Sequence, residues 1–212
     1  MPKIESLEGL MVEEMRDMID AEKQLIKALP KMAKAAESDQ LRAGFEQHRS
    51  QTETQLERLM QAFDEIGEKP KAKKCTGMRG LIEEGEEMMK EVPRGPVRDA
   101  LLIASAQKVE HYEMSSYGTL RTYANQLGHQ NVAGLLETTL KEEKATDQKL
   151  TQLAESMVNP SAREKSRSSP GEERMIGAAV AQDRPGRASP ADNRNRKRSA
   201  SSGSRRGGSR LR

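Results

Sequence analysis

The spacing of apolar residues constrains this chain more than any other feature. In the first segment, buried-type side chains recur at alternating intervals of four and three residues, with one interruption at Glu22. This spacing places them along one face of an α-helix and is typical of a seam packed in a core. The seam comprises Met11, Met15, Met18, Leu25, Leu29, Met32 and Ala36.

Three later segments repeat this spacing, so the chain is predicted to contain four long helices. Their expected bounds are 6–37, 40–66, 97–127 and 130–158, with a short additional helix at 81–92. Pro30 is expected to kink the first helix or to separate its last turns. Gly67 and Pro70 end the second helix, and Gly128 turns the chain between the last two. Two helical hairpins joined by a long connection predict a four-helix bundle with one long crossover.

Composition supports an all-α fold and excludes a disulfide framework. Aromatic residues make up only 2% of the chain, whereas strands favour aromatic and β-branched side chains. Cys75 is the single cysteine, so we expect an inert thiol in a basic loop and no CxxC zinc site. The first residues lack an apolar signal-peptide core, and no run of about 18 apolar residues occurs. We therefore expect a soluble, cytoplasmic protein that does not associate with a membrane.

Charge divides the chain near residue 159. Residues 160–212 contain 14 Lys plus Arg against 5 Asp plus Glu, a net charge of +9, and very few aliphatic residues. Such a segment cannot bury enough apolar surface to offset the entropy of ordering it. We predict a folded domain over residues 1–159 and a disordered Ser/Arg/Gly-rich basic tail over 160–212. The tail is either a solubilising extension or a contact to DNA or RNA phosphates without sequence preference.

Acidic residues interrupt the apolar seams near their middles. Glu22 does so in the first helix, Glu110 and Glu113 in the third, and Glu143 in the fourth, with Asp147 one turn later. Antiparallel helices joined by a short turn pair residues symmetrically about that turn. Glu113 is therefore expected opposite Glu143, and Glu110 near Asp147, so that the acids meet at one level.

Several carboxylates in a dry core need a compensating charge. An unpaired buried carboxylate is strongly unfavourable, and neighbouring carboxylates also repel one another. Bound cations or protons must neutralise them, and Arg49 is the one candidate counter-ion near the seams. Oxygen ligands inside a helical bundle suit iron or manganese, and a pair of metal ions is the known solution in this architecture. The alternative is that these acids lie at solvated edges of the bundle.

The second helix supplies weaker candidates. His48 lies on its inner side, whereas Glu53 reaches the site only if the helix is rotated from the expected register. Tyr117 in the third helix is a packing group or a hydrogen-bond donor to one of the carboxylates.

Four stretches of the chain resemble the YciF-type family of ferritin-like bacterial stress proteins. They are DAEKQL at 20–25, MRGLIEEG at 78–85, AQKVEHYEMSSYGTL at 106–120 and EEKATDQKL at 142–150. The resemblance covers about Ile4 to Asn159. It implies a ferritin-like fold related to rubrerythrins, a homodimer, a di-metal centre and a link to stress responses. Two features depart from the ferritin-like pattern, since the second helix has no Glu-x-x-His and Thr146 replaces a histidine in the fourth.

These interpretations combine into one functional prediction. The bundle holds a carboxylate-bridged pair of metal ions, iron or alternatively manganese, and acts on peroxide or dioxygen. The predicted ligands are Glu22, Glu110, Glu113, Glu143 and Asp147, with His48 and Glu53 as weaker candidates. The alternative is a structural or nucleic-acid-associated stress protein without turnover, bound to DNA or RNA through residues 160–212.

Overall fold

Helices account for nearly all of the residues that the structure, a computed structural model, describes, namely 4–167. In chain order they are α1 Leu7–Ala35, α2 Asp39–Glu65, α3 Thr76–Glu91, α4 Pro96–Gln126, α5 Gln130–Leu153, a π-helical turn Ala154–Val158 and α6 Asn159–Arg167. No strand occurs within residues 4–167. The predicted all-α class is therefore confirmed, whereas the tail prediction from residue 168 onward lies outside the described residues.

The long helices begin and end where local chemistry favours it. Ser6 caps α1, because its hydroxyl oxygen accepts a hydrogen bond from the Gly9 backbone N–H at 3.0 Å. Ser38 caps α2 in the same way. Gly128 has a φ of 83°, a left-handed conformation that suits glycine, and it turns the chain between α4 and α5.

Three boundaries differ from the sequence-based expectation. α1 runs through Pro30 as one helix, so its last turns are not a separate element. α3 begins at Thr76 because Cys75 acts as its N-cap, with Sγ accepting from the Met78 backbone N–H at 3.3 Å. The cysteine is thus buried at a helix end and is not part of an open loop. After the π-helical turn, helix continues to Arg167, past the boundary predicted at residue 159, and Val158 remains buried.

The four long helices form the predicted bundle with a long crossover. α1 packs on α2 and α4 packs on α5, giving two hairpins, and the hairpins meet through α1 with α4 and α2 with α5. α3 lies in the crossover and covers α1 and α4. The core between the helices is built from Met, Leu, Ala and a few aromatic side chains. Within residues 4–167, no helix is long and apolar enough to span a bilayer.

Candidate metal centre

Buried polar side chains from all four long helices are collected near the middle of the bundle. They are Glu22 from α1, His48 from α2, Glu110 and Glu113 from α4, and Glu143 from α5. Glu22, Glu113 and Glu143 are fully buried, with 0% of their surface exposed. One possible ligand atom from each of His48, Glu110, Glu113 and Glu143 lies within 4.8 Å of the others. Glu110, Glu113 and Glu143 therefore do meet at one level, as their spacing predicts.

Each acid is buried because it occupies a position in an apolar seam. Glu22 follows Met18 and precedes Leu25 on the inner face of α1, so packing of that face carries the carboxylate inward. Glu110 and Glu113 are three residues apart on α4 and share a face for the same reason. The alternative of solvated edge positions does not apply to these residues.

The row of α2 that faces the centre consists of His48, Thr52 and Gln55, all of which are buried. Glu53 lies on the outer side of the helix, where its carboxylate is 3.1 Å from Arg49 and both side chains are about half exposed. The structure therefore brings His48 into the cluster but not Glu53. Arg49, considered as a counter-ion for the cluster, pairs instead with Glu53 on the surface.

Asp147 lies at the margin of the cluster. Its Oδ1 accepts a hydrogen bond from Gln107 Nε2 at 3.0 Å and is 3.4 Å from His111 Nε2. Its side chain is 23% exposed, in contrast to the fully buried glutamates. Neither Asp147 nor Glu22 belongs to the group whose ligand atoms approach one another within 4.8 Å.

Two buried side chains position carboxylates of the cluster. The Tyr117 hydroxyl donates a hydrogen bond to Glu22 Oε1, which confirms the donor role considered for this tyrosine. Gln55 Nε2 donates to Glu143 Oε1 and, at 3.1 Å, to Glu142 Oε2. The hydrogen bond from Gln55 to Glu143 was not predicted. Gln55 lies about one turn after Thr52 in the row of α2 that faces the centre.

Comparison with known proteins now decides the family. Residues 6–163 match the family described as "Domain of unknown function (DUF892)". This chain belongs to the DUF892 family. It is 47% identical over 163 residues to Protein YciF of Escherichia coli K12, covering 76% of this chain and 98% of YciF. The resemblance to YciF-type proteins predicted from the four sequence stretches is therefore confirmed.

Solved structures of relatives support the DUF892 fold. The crystal structure of the E. coli stress protein YciF superposes with a TM-score of 0.71, covering 74% of this chain and 99% of that one at 47% identity. YcfI of Rhodopseudomonas palustris gives a TM-score of 0.69 at 42% identity, covering 70% and 95% of the two chains. A protein of Xanthomonas campestris, at 19% identity and a TM-score of 0.58, shares the fold.

In this DUF892 domain, burial is the main cause of the shifted pKa values of the cluster residues. Burial, reinforced by nearby carboxylates, raises the pKa of Glu22 to about 8 and that of Glu143 to about 9. Burial also raises the pKa of Glu110 to about 7 and that of Glu113 well above its ordinary value. The pKa of His48 is lowered because burial disfavours the imidazolium, so its ring is held neutral. Without a cation, the cluster is therefore neutralised by protons.

The donor set of the DUF892 cluster fits divalent transition metals. Buried polar atoms are nearly always hydrogen-bonded in proteins. Here the unpartnered buried atoms include Glu22 Oε2, Glu110 Oε2, both oxygens of Glu113, Glu143 Oε2 and both ring nitrogens of His48. His48 Nε2 is 3.1 Å from Glu110 Oε1. Carboxylate oxygens and a neutral imidazole with free lone pairs are ligands for such metals, so the cluster could bind metal.

Proposed function

We propose that this protein is a stress-related DUF892 member that binds two iron ions in the buried cluster and reduces peroxide or dioxygen there. One observation carries the proposal. A buried cluster holds four carboxylates and a neutral histidine from four helices, and at least one oxygen of each carboxylate has no hydrogen-bond partner. Keeping these carboxylates ionised is unfavourable unless a cation compensates for their charge. Two divalent cations would supply that compensation.

The proposed ligands are Glu22, His48, Glu110, Glu113 and Glu143, with Asp147 as an outer carboxylate. Iron is the proposed metal and manganese the alternative, because both ions suit these ligands and both can transfer electrons. Bound iron would supply the electrons for reducing peroxide or dioxygen.

The residues of the chain would contribute position, charge and a dry environment. Tyr117 and Gln55 restrain Glu22 and Glu143 through hydrogen bonds, which fixes the direction in which their remaining oxygens point. The apolar seams around the acids limit the access of bulk water to the centre.

Ferrous-dependent peroxide consumption tests the proposal. We expect the protein loaded anaerobically with ferrous iron to remove peroxide faster than the same iron in buffer. The double variant Glu113→Gln, Glu143→Gln should lose this activity, because amides replace two carboxylates. Glu57→Gln, on the exposed side of α2, is the matched control and should keep it. Equal peroxide loss with and without the protein would overturn the redox function and leave a structural stress protein.

We also propose a second function, attachment to nucleic acid through residues 160–212. The supporting observation is the net charge of +9 carried by this segment, against a net charge of −6 for the rest of the chain. Lys and Arg that neutralise phosphates give affinity that falls steeply with salt. Deletion of 160–212 should abolish DNA retardation and leave metal content unchanged. Retention of DNA binding by the truncated protein would contradict this second function.

A further inference from the structure

A groove opens beside the candidate centre and leads to it from the surface. It lies between α2, α4 and α5, has a volume of about 440 Å³, and includes His48 and Glu110 among its lining residues. This volume is in the range typical of small-molecule sites. The groove therefore joins solvent to one side of the cluster.

Apolar and polar residues both line the groove, and its inner end is polar. Ala43, Leu150 and Leu153 supply apolar surface, while Gln47, Gln51 and Lys149 also line the groove. His48 is only 5% exposed, and its Nε2 lies 3.1 Å from Glu110 Oε1 at the inner end of the groove. A molecule that fits this arrangement has an apolar body and a small polar head able to donate or accept a hydrogen bond.

We propose that the groove binds organic hydroperoxides, with the apolar body against Ala43, Leu150 and Leu153 and the hydroperoxide group directed towards His48 and Glu110. This inference rests on the proposed function and narrows it by naming the substrate class. Hydrogen peroxide has no apolar surface, so it gains nothing from such walls. An alkyl or aryl hydroperoxide is favoured because its apolar body leaves water when it enters the groove.

The reaction balances with the components already proposed. The O–O bond of ROOH breaks, one oxygen leaves as the alcohol ROH, and the other leaves as water. This reduction takes two electrons, which two bound ferrous ions would supply by becoming ferric, and two protons, which would come from solvent. The alcohol product keeps the apolar body of the substrate but has no O–O bond to reduce. Its binding to the groove can therefore be measured without any reaction.

Gly44 provides a variant that fills the groove. It lines the groove on α2, and a Cβ added there meets no atom within 4 Å, so the first carbon of the side chain in Gly44→Leu is accommodated without a clash. Gly134 in α5 is the matched control, because a Cβ added there also meets nothing within 4 Å and the residue does not line the groove. Both changes replace a helical glycine with a good helix former, so both variants should fold.

The first readout is binding of 2-phenyl-2-propanol, the alcohol derived from cumene hydroperoxide, to the purified full-length protein by ligand-observed NMR. We expect binding by the wild type and by Gly134→Leu, and at least about tenfold weaker binding by Gly44→Leu, since small changes in apolar pockets have effects of this size. Absent binding to the wild type, or equal binding by both variants, would overturn the inference.

The second readout is the rate with cumene hydroperoxide divided by the rate with hydrogen peroxide, measured on ferrous-loaded protein. Gly44→Leu should lower this ratio about tenfold, whereas Gly134→Leu should leave it unchanged. If both variants reduce hydrogen peroxide normally and have the same ratio of the two rates, the groove inference is overturned. The proposed function is not affected by that result. Loss of both reductions in the wild type, with alcohol binding retained, would instead overturn the proposed function.

Discussion

Single residues determine how the carboxylates of the cluster are oriented. Tyr117 is fully buried, and its hydroxyl donates to Glu22, while Gln55 donates to Glu143. Both donors leave the second oxygen of their carboxylate without a partner. Groups that hydrogen-bond to metal-binding side chains restrict their rotation and influence metal affinity. Tyr117 and Gln55 are thus positioning residues for the proposed centre.

Removing the Tyr117 hydroxyl should weaken metal binding. In Tyr117→Phe, Glu22 loses its donor and becomes free to adopt other orientations, so we expect affinity for ferrous iron to fall about 10–100-fold. Tyr123→Phe, on the same helix and only partly buried, is the control and should bind as the wild type does. Titration of the metal-free proteins with ferrous iron under anaerobic conditions measures both. Unchanged affinity in Tyr117→Phe would show that the tyrosine only packs.

The raised carboxyl pKa values predict how pH affects the metal-free protein. Folding raises the pKa of Glu22 from 4.5 to about 8 and that of Glu143 from 4.5 to about 9, so the folded state binds protons more tightly than the unfolded state. The stability from these groups is complete below pH 4.5 and is lost as pH rises towards 8 and 9. A displacement of one pKa unit corresponds to about 1.4 kcal/mol. The free energy of unfolding should therefore fall by several kcal/mol between pH 5 and pH 9.

Chemical denaturation of chelator-treated protein at several pH values measures this dependence. The variant Glu113→Gln, Glu143→Gln should show a shallower decline, because its amides do not titrate. Metal affinity should change in the opposite direction and increase with pH, since the ligands must lose protons to bind a cation. A metal-free stability that rises between pH 5 and pH 9 would contradict the burial of these acids.

At the scale of elements, hydrogen bonds to an acidic residue outside the cluster link the two helical hairpins. Asp99, in the first turn of α4, is 3% exposed, and its two oxygens accept the backbone N–H groups of Glu37 and Ser38, each at 2.8 Å. These groups lie in the turn between α1 and α2. Asp99 therefore joins the start of the second hairpin to the turn of the first.

Replacing Asp99 should destabilise the bundle without affecting the centre. In Asp99→Ala, two backbone N–H groups lose their acceptors, which should cost about 1–3 kcal/mol for each group that stays unsatisfied. Urea denaturation measures this loss, and metal content should not change. Asp39→Ala is the control, because the carboxylate of Asp39 is 91% exposed and pairs with Arg42 on the surface, where ion pairs contribute little. Equal stability of both variants would contradict the role of Asp99.

Helix periodicity predicted most of these elements because each long helix has one buried face. The same periodicity located Glu22, Glu110, Glu113 and Glu143, since a glutamate within an apolar row is carried inward with its neighbours. The start of α3 was predicted too late because cysteine is not among the preferred N-cap residues. Glu53 was retained as a candidate because the rotation of α2 about its axis depends on packing against α1 and α5, which local spacing does not specify.

At the scale of the whole molecule, contacts between segments that are far apart in sequence could not be predicted from local spacing. The hydrogen bond from Gln55 to Glu143 joins residues 88 positions apart. The groove is likewise lined by residues of three helices, α2, α4 and α5, so no single segment of the sequence indicates it. The long crossover was predictable from the Gly and Pro residues that bound it, and α3 lies within it as expected.

Family resemblance also leads us to propose a homodimer. Light scattering of the full-length protein should give a mass twice that of one chain. A variant truncated after Arg167 should likewise give twice the mass of its own shorter chain, because the bundle lies within residues 4–167. A monomeric mass for both proteins over a wide concentration range would contradict the homodimer, while leaving the centre, which one chain forms by itself, unaffected.

Elemental analysis tests the central claim most directly, namely that bound ions hold together the buried acids of α1, α4 and α5. The protein would be purified without chelators, and its iron and manganese measured against chain concentration by mass spectrometry. We predict about two metal ions per chain, chiefly iron, in the wild type and in Glu57→Gln, and almost none in Glu113→Gln, Glu143→Gln. A wild-type protein that contains no transition metal and takes up none from added ferrous iron would contradict the account.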